Sequence, residues 1–367
     1  MTNTKEILYK LIRIALGNED DLSLPHDVCF NEVMNLSKVT GLSWLVINGL
    51  QKLIDNGNME ILAMQKEKNN LLQWIGTAMM IEQQSSKQWS ACQRLLELFA
   101  QHGITTVGLK GMTVAQWYPN PKHRFSCDFD CILLKETAGG EKQFAYEDGN
   151  LVVEESGVEV DKRIYVHSVF NYRGLMVENH HYLAAVKLSK RHRRLDAFLR
   201  ELLLNEPLQP VLDSKLMMGS PMFNAIFLTH HAHRHMLKEY LPLKLLTDWA
   251  LFISNNCELD WNRFWKHADE FGMLRFAQAM TRASVRLLGA SLPFELHTDP
   301  EADELLEDSL LWNYSEVAGG KKSLFARRLG IIRHLMSSSK KYKVFYDSSS
   351  LAMIVAYVLG YLFGKDD

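Results

Sequence analysis

The stretch 122-KHRFSCDFDCILL-134 sets two aspartates, Asp128 and Asp130, one residue apart at the head of an apolar run. Side chains of a strand alternate between its two faces, so as a strand this run sends both carboxylates out of the same face. Like charges at that spacing repel. Such a pair is held by something positive between its members, most often a divalent cation. Cys127 and Cys131 flank the aspartates, and four apart on a strand they read as small buried side chains rather than metal ligands.

Working outward, "ITTVGLKG" (104–111) is a short β-rich run closed by Lys110-Gly111, and "MTVAQWYP" (112–119) a brief helical stretch ended at Pro119. Downstream, "GGEKQFAYEDGNLVVEESG" (139–157) reads as a helix closed by Gly157. "VEVD", "RIYVHSVFNY" and "GLMVENHHYL" then read as three strands with a turn at Arg173-Gly174. Glu178 lies in the last of these strands and Asp161 in "VEVD", two acids either of which could join the aspartates from a neighbouring strand.

On either side the pattern is helical. Apolar residues recur at three and four spacings in "EILYKLIRIAL", in 31–53 and in 68–103, and again in 195–204, 224–240, 243–256 and 261–290. The expected class is α+β: a small mixed sheet flanked by an N-terminal and a C-terminal helical region. The expected division is an N-terminal helical region 1–95, a sheet-bearing core 96–185 and a C-terminal helical domain 186–367.

Composition narrows the function. The 367 residues are 47% apolar, enough for a substantial core, and 41 basic against 43 acidic residues give the molecule no general attraction for polyanions such as DNA. Any contact with nucleic acid or membrane must be local. The basic run 321–343 is one such face, and "KLSKRHRR" (187–194) another; a solvated helix surface accounts for either. The apolar segment 351–364 falls short of the roughly 20 residues that span a bilayer and reads as a buried terminal helix. The N-terminus has no signal-peptide pattern, so the expected location is cytoplasmic. Five cysteines without a CxxC pair point to free thiols.

The order strand, Lys-Gly turn, aspartate strand, third-carboxylate strand resembles the DNA polymerase β-type nucleotidyltransferase superfamily. Within it the chain is most similar to a branch of uncharacterised bacterial nucleotidyltransferases. The matching elements are Leu109-Lys110-Gly111, Tyr118-Pro119, Arg124, Asp128-Phe129-Asp130 and Val177-Glu178-Asn179-His180. A histidine-bearing helix (His230 to His235) and the "LLTDWALF" helix (245–252) continue the likeness, which spans about 100–255. The turn is Lys-Gly where the wider superfamily has Gly-Gly or Gly-Ser, and its gap to the first aspartate is longer.

The resemblance implies a Mg²⁺-dependent (or Mn²⁺-dependent) transfer of a nucleoside monophosphate from a nucleoside triphosphate, ATP among the possible donors, to an acceptor the sequence does not name. It makes Asp128, Asp130 and Glu178 the metal-binding and catalytic set. Hard oxygen ligands suit Mg²⁺, which stabilises charge on the oxygens of an in-line displacement at phosphorus. Lys110 and the Gly111 amide would meet the phosphates at the start of the next helix. Arg124 is either a further phosphate contact or a counter-ion to Asp128. His180, two residues after Glu178, shares its face and is expected to tune the metal site or touch the substrate.

Other histidines and acids stay open. His231 and His235 lie one helical turn apart, a spacing compatible with a transition metal, a pocket wall or an ordinary interior. Asp248, in an apolar helix, needs a partner: Lys244, Arg234 or a substrate amine. The competing reading from another class is a non-catalytic binding module of the same fold that docks nucleic acid, a membrane surface or a protein through the basic C-terminal face.

Overall fold

The structure is a computed structural model, and it describes residues 2–19, 23, 29–57, 68–124, 126–238, 240–310 and 339–346. Among the described residues four helices come first: α1 (Thr2–Leu16), α2 (Phe30–Thr40), α3 (Ser43–Asp55) and the long α4 (Lys68–Gln101). In α1, Ile7, Leu8, Leu11, Ile12 and Ala15 form the buried stripe that helical spacing dictates. That stripe packs on α3 at close range: a Cβ on Gly49 would stand 2.2 Å from the Leu11 carbonyl oxygen.

The middle of the chain builds β1 (Ile104–Gly108), β2 (Phe129–Glu136), β3 (Lys142–Phe144), α5 (Tyr146–Glu155), β4 (His167–Tyr172) and β5 (Leu175–His180). After α6 (Lys190–Asn205) come two short strands, β6 (Gln209–Pro210) and β7 (Met217–Met218). The seven strands form one mixed sheet in the order β4-β5-β2-β1-β7-β6, with β3 added to β2. The pairs β1–β7 and β2–β5 are parallel and the others antiparallel. Strand β2 is covered on both faces, which is why Phe129 to Leu134 are all buried and why its sequence is apolar nearly throughout.

The remaining helices among the described residues are α7 (Pro221–Lys238), α8 (Leu243–Asn255), α9 (Trp261–Glu270), α10 (Leu274–Leu288), α11 (Pro300–Leu310) and α12 (Ser339–Tyr346). One apolar cluster runs from Ile7 in α1 through Val107 and Ile132 in the sheet to Trp249, Phe276 and Leu310. A second, with Leu95, Phe99, Phe129 and Val177, fills the sheet's other side under α4. The α+β class and the flanking helical regions follow from the sequence pattern.

Three local expectations differ. Residues 139–157 are not one helix: Gly139 and Gly140 lie in the tight turn from β2 into β3, with the Thr137 amide donating to the Glu141 carbonyl, and the helix starts only at Tyr146. The helical stretch after Gly111 is a single 3-10 turn, Val114–Trp117. "VEVD" supplies one isolated bridge, Asp161 to Val169, rather than a strand. The apolar segment 351–364 and all of the basic run except Lys340, Lys341 and Lys343 lie outside the described residues; of these three, Lys341 is buried in α12. No helix among the described residues is long and apolar enough to cross a membrane.

Candidate active site

Strand β2 brings Asp130 opposite Glu178 of β5 in parallel register, and Asp128 precedes the strand on the same face. Oxygens of Asp128, Asp130 and Glu178 lie within 4.8 Å of one another. The site is graded from dry to wet: the Asp130 side chain is 1% exposed, Asp128 30% and Glu178 26%. An acidic patch on an open surface has no such gradient. Here one carboxylate is buried and two are partly open to solvent.

Lys110 answers the question raised by the paired aspartates. Its ammonium lies 3.2 Å from Asp128 Oδ2 and pairs more closely still with Asp130 Oδ2. The turn that delivers it is built for the purpose. The Leu109 amide donates to the Asp130 carbonyl at 3.0 Å, carrying the β1–β2 ladder one residue past the strand. Gly111 then takes φ +59°, and a Cβ there would stand 2.4 Å from Ser126 Oγ, so the turn folds back against the loop that leads to Asp128. The short 3-10 turn that follows cannot supply the helix N-terminus expected for phosphate at Gly111.

His180 closes the cluster from β5. Its Nε2 is 3.1 Å from Asp130 Oδ1 and 3.7 Å from Glu178 Oε2, and its Nδ1 is 3.2 Å from the Tyr182 carbonyl. Burial alone would depress its pKa, but hydrogen bonds to Asp130 and Glu178 more than offset that and raise it to about 9. Burial likewise opposes charge on Asp130 and Lys110, yet each holds the other ionised. The Asp130 carboxyl lies far below the usual carboxylate range, and the Lys110 ammonium above the usual lysine value.

Arg124 is elsewhere. Its Nε donates to Asp248 Oδ1 at 2.8 Å and its Nη2 to Asp248 Oδ2 at 2.6 Å, both groups buried, while the Tyr118 hydroxyl donates to Asp248 Oδ1 at 2.7 Å. The guanidinium edge offered to phosphate in the sequence reading is spent on α8. Asp248 is therefore paired inside the protein, with a partner that neither Lys244 nor Arg234 had suggested. Three separated motif elements, Tyr118, Arg124 and the "LLTDWALF" aspartate, prove to be one buried lock that pins the loop before Asp128 to α8.

Asp161 sits out of the cluster. It bridges Val169, which in turn faces Glu178, and its carboxylate is held by Arg163 at an exposed position. The aspartate's pKa is lowered to about 2 by hydrogen bonds from Arg163. On α7, the His231 and His235 rings are 4.6 Å apart, but no group of three possible ligands among the described residues includes either. Burial depresses His231, and the Lys110 charge adds to the effect, which places this histidine near the cluster as part of its surroundings.

His167 is the residue sequence reasoning passed over. It lies directly across the β4–β5 hairpin from His180, and its Nδ1 is 3.8 Å from Glu178 Oε2. The signal was present: a turn centred on Arg173-Gly174 pairs residue 167 with residue 180.

A cluster of three convergent carboxylates on a mixed sheet, countered by one lysine and one histidine, is suited to holding a divalent cation. Against known families, the model of a family described as uncharacterised nucleotidyltransferase matches residues 27–289. The chain belongs to that family. The match takes in α2 to α10, so the helices around the sheet are part of the family's fold along with the acidic strands. Neither the curated proteins nor the solved structures give a match.

Proposed function

We propose that this nucleotidyltransferase-family protein transfers a nucleoside monophosphate from a nucleoside triphosphate, ATP among the candidates, to an acceptor hydroxyl or amine in the cytoplasm. The observation that carries the proposal is the convergence of Asp128, Asp130 and Glu178 within 4.8 Å on adjacent strands. Their donor atoms are all carboxylate oxygens, the hard ligands that Mg²⁺ or Mn²⁺ takes, and they leave coordination positions for phosphate and water. A cation so held would offset the charge that builds on the phosphate oxygens during displacement.

The chain's own residues then have distinct tasks. Asp130, held by Lys110 and His180, would be the buried ligand, and the partly exposed Asp128 and Glu178 would complete the set. The acceptor oxygen or nitrogen forms its bond to the α-phosphorus as the bond to the bridging oxygen breaks, and pyrophosphate leaves. Glu178, partly exposed, takes the acceptor's proton in this scheme. Lys110 neutralises the two aspartates before substrate arrives. On binding, its ammonium exchanges those carboxylates for oxygens of the triphosphate, so the same charge serves both states. Arg124 has no phosphate role in this scheme and acts by holding the 118–124 loop.

The experiment is incubation of the protein with each α-labelled nucleoside triphosphate, Mg²⁺ or Mn²⁺ and a cell extract, to see what becomes labelled. Labelling is expected in wild type and lost in the Asp128→Asn, Asp130→Asn double variant. Undiminished labelling in that variant rejects the mechanism.

A further inference from the structure

Beside the carboxylate cluster stands a second set of possible ligands. One atom each from His167, Glu178 and His180 lies within 4.8 Å of the others. Two imidazoles and one carboxylate form a donor set of different chemistry from that of the aspartates. Mg²⁺ and Mn²⁺ prefer oxygen, whereas imidazole nitrogens favour the later divalent first-row metals such as Co²⁺ or Zn²⁺.

The hydrogen bonding around His180 has the form that a ligating histidine takes. A backbone carbonyl only accepts, so the contact of Nδ1 with the Tyr182 oxygen at 3.2 Å fixes the proton on Nδ1. Without a metal, the Nε2–H donates to Asp130 Oδ1 at 3.1 Å, with Glu178 Oε2 at 3.7 Å. A cation at Nε2 takes that proton's place beside the same carboxylates, and a ring nitrogen held by a carbonyl on its far side is the usual outer support of a metal-bound imidazole. His167 comes from the neighbouring strand. Its place opposite His180 in the antiparallel register and its ring centroid 5.2 Å from that of His180 bring the two imidazoles to the same carboxylate.

We infer that His167, Glu178 and His180 form a transition-metal site distinct in selectivity from the Asp128–Asp130 position and joined to it through the shared Glu178. The inference does not depend on nucleotidyl transfer, because metal binding here requires no nucleotide. If both sites fill, the Glu178 carboxylate lies between the two cations, and the transition metal at the histidines sets how that carboxylate is presented to the Asp128–Asp130 position.

The test is a Co²⁺ titration of the metal-stripped, full-length protein followed by visible absorption, without nucleotide. One tight equivalent is expected, undisplaced by millimolar Mg²⁺, retained in Asp128→Asn and weakened at least about tenfold in His167→Ala. Because His167→Ala can also disturb the hairpin, X-ray absorption fine structure of the single Co²⁺ equivalent bound to wild type gives a second reading, with scattering from imidazole rings expected. Unchanged Co²⁺ affinity in a folded His167→Ala variant, ready displacement by Mg²⁺, or bound Co²⁺ without imidazole scattering would each overturn the site. Nucleotide transfer that fails while Co²⁺ binds as described leaves this inference standing and rejects only the enzymatic reading.

Discussion

Asp130 and Glu178 face each other across the parallel register of β2 and β5, forty-eight positions apart in sequence, and their carboxylate oxygens come within 4.8 Å of each other. That register depends on β5 lying beside the N-terminal half of β2 while β3 takes the C-terminal half. A slip of one residue would turn Glu178 to the opposite face and dissolve the cluster.

Lys110 is the cluster's internal cation, so replacing it makes stability depend on metal. Lys110→Met leaves Asp130, 1% exposed, without its closest positive partner, and a cost of about 3 kcal/mol is expected, partly relieved by His180. Mg²⁺ or Mn²⁺ should recover much of that loss. Thermal melts with and without the metal check this: the metal-induced rise in Tm should be larger in Lys110→Met than in wild type, although the variant transfers no nucleotide.

The Arg124–Asp248 lock is structural and intolerant of partial change. Asp248→Ala strands a buried guanidinium and should cost about 3–5 kcal/mol. Arg124→Lys keeps the charge but loses one of the two parallel bonds, and should also destabilise measurably in urea unfolding. An Arg124→Lys variant as stable as wild type would show that the fork geometry matters less than the charge.

Gly111 tests how the turn positions Lys110. Gly111→Ala adds a Cβ 2.4 Å from Ser126 Oγ at φ +59°, so both strain and collision are introduced. Ser126→Gly removes the collision and not the strain. The double variant is expected to recover part of the stability lost in Gly111→Ala, a non-additive outcome that a double-mutant cycle reads directly.

The helix α7 makes the fold acid-sensitive. Burial lowers the pKa of His230 well below the ordinary histidine value and that of His233 to about 4. His192, Arg191 and Arg234 push the same way, whereas the bond from His233 to the Phe345 carbonyl opposes it. The unfolded chain thus binds more protons than the folded one between pH 6.5 and about 4. Stability present above pH 6.5 is lost as pH falls through that window, at about 1.4 kcal/mol per pH unit for each histidine kept neutral. Urea midpoints at pH 7.5, 6 and 5 should fall in order; a flat series would contradict the assignment.

The sequence carried the site's main elements because strand alternation and turn residues act locally. Asp128 and Asp130 on one face, the Arg173-Gly174 turn and the presence of Glu178 and His180 on one strand all follow from spacing. What spacing does not encode is partner choice at long range. Arg124 reads from the sequence as a phosphate contact or a counter-ion to Asp128, and only packing of the 118–124 loop on α8 selects Asp248. Strands β6 and β7, two residues each, leave no alternation to detect, and β3 was read as helix because its three residues precede a true helical pattern. His167 was legible through the hairpin register but carries no motif of its own.

The most direct measurement is a crystal soaked with Mn²⁺ and a non-hydrolysable nucleoside triphosphate, read by anomalous scattering. The expected result is a peak within coordination distance of Asp128 and Asp130, with the Lys110 ammonium withdrawn from them toward the triphosphate. Lys110 still seated between the two aspartates, with bound nucleotide and no peak near either carboxylate, would contradict the account.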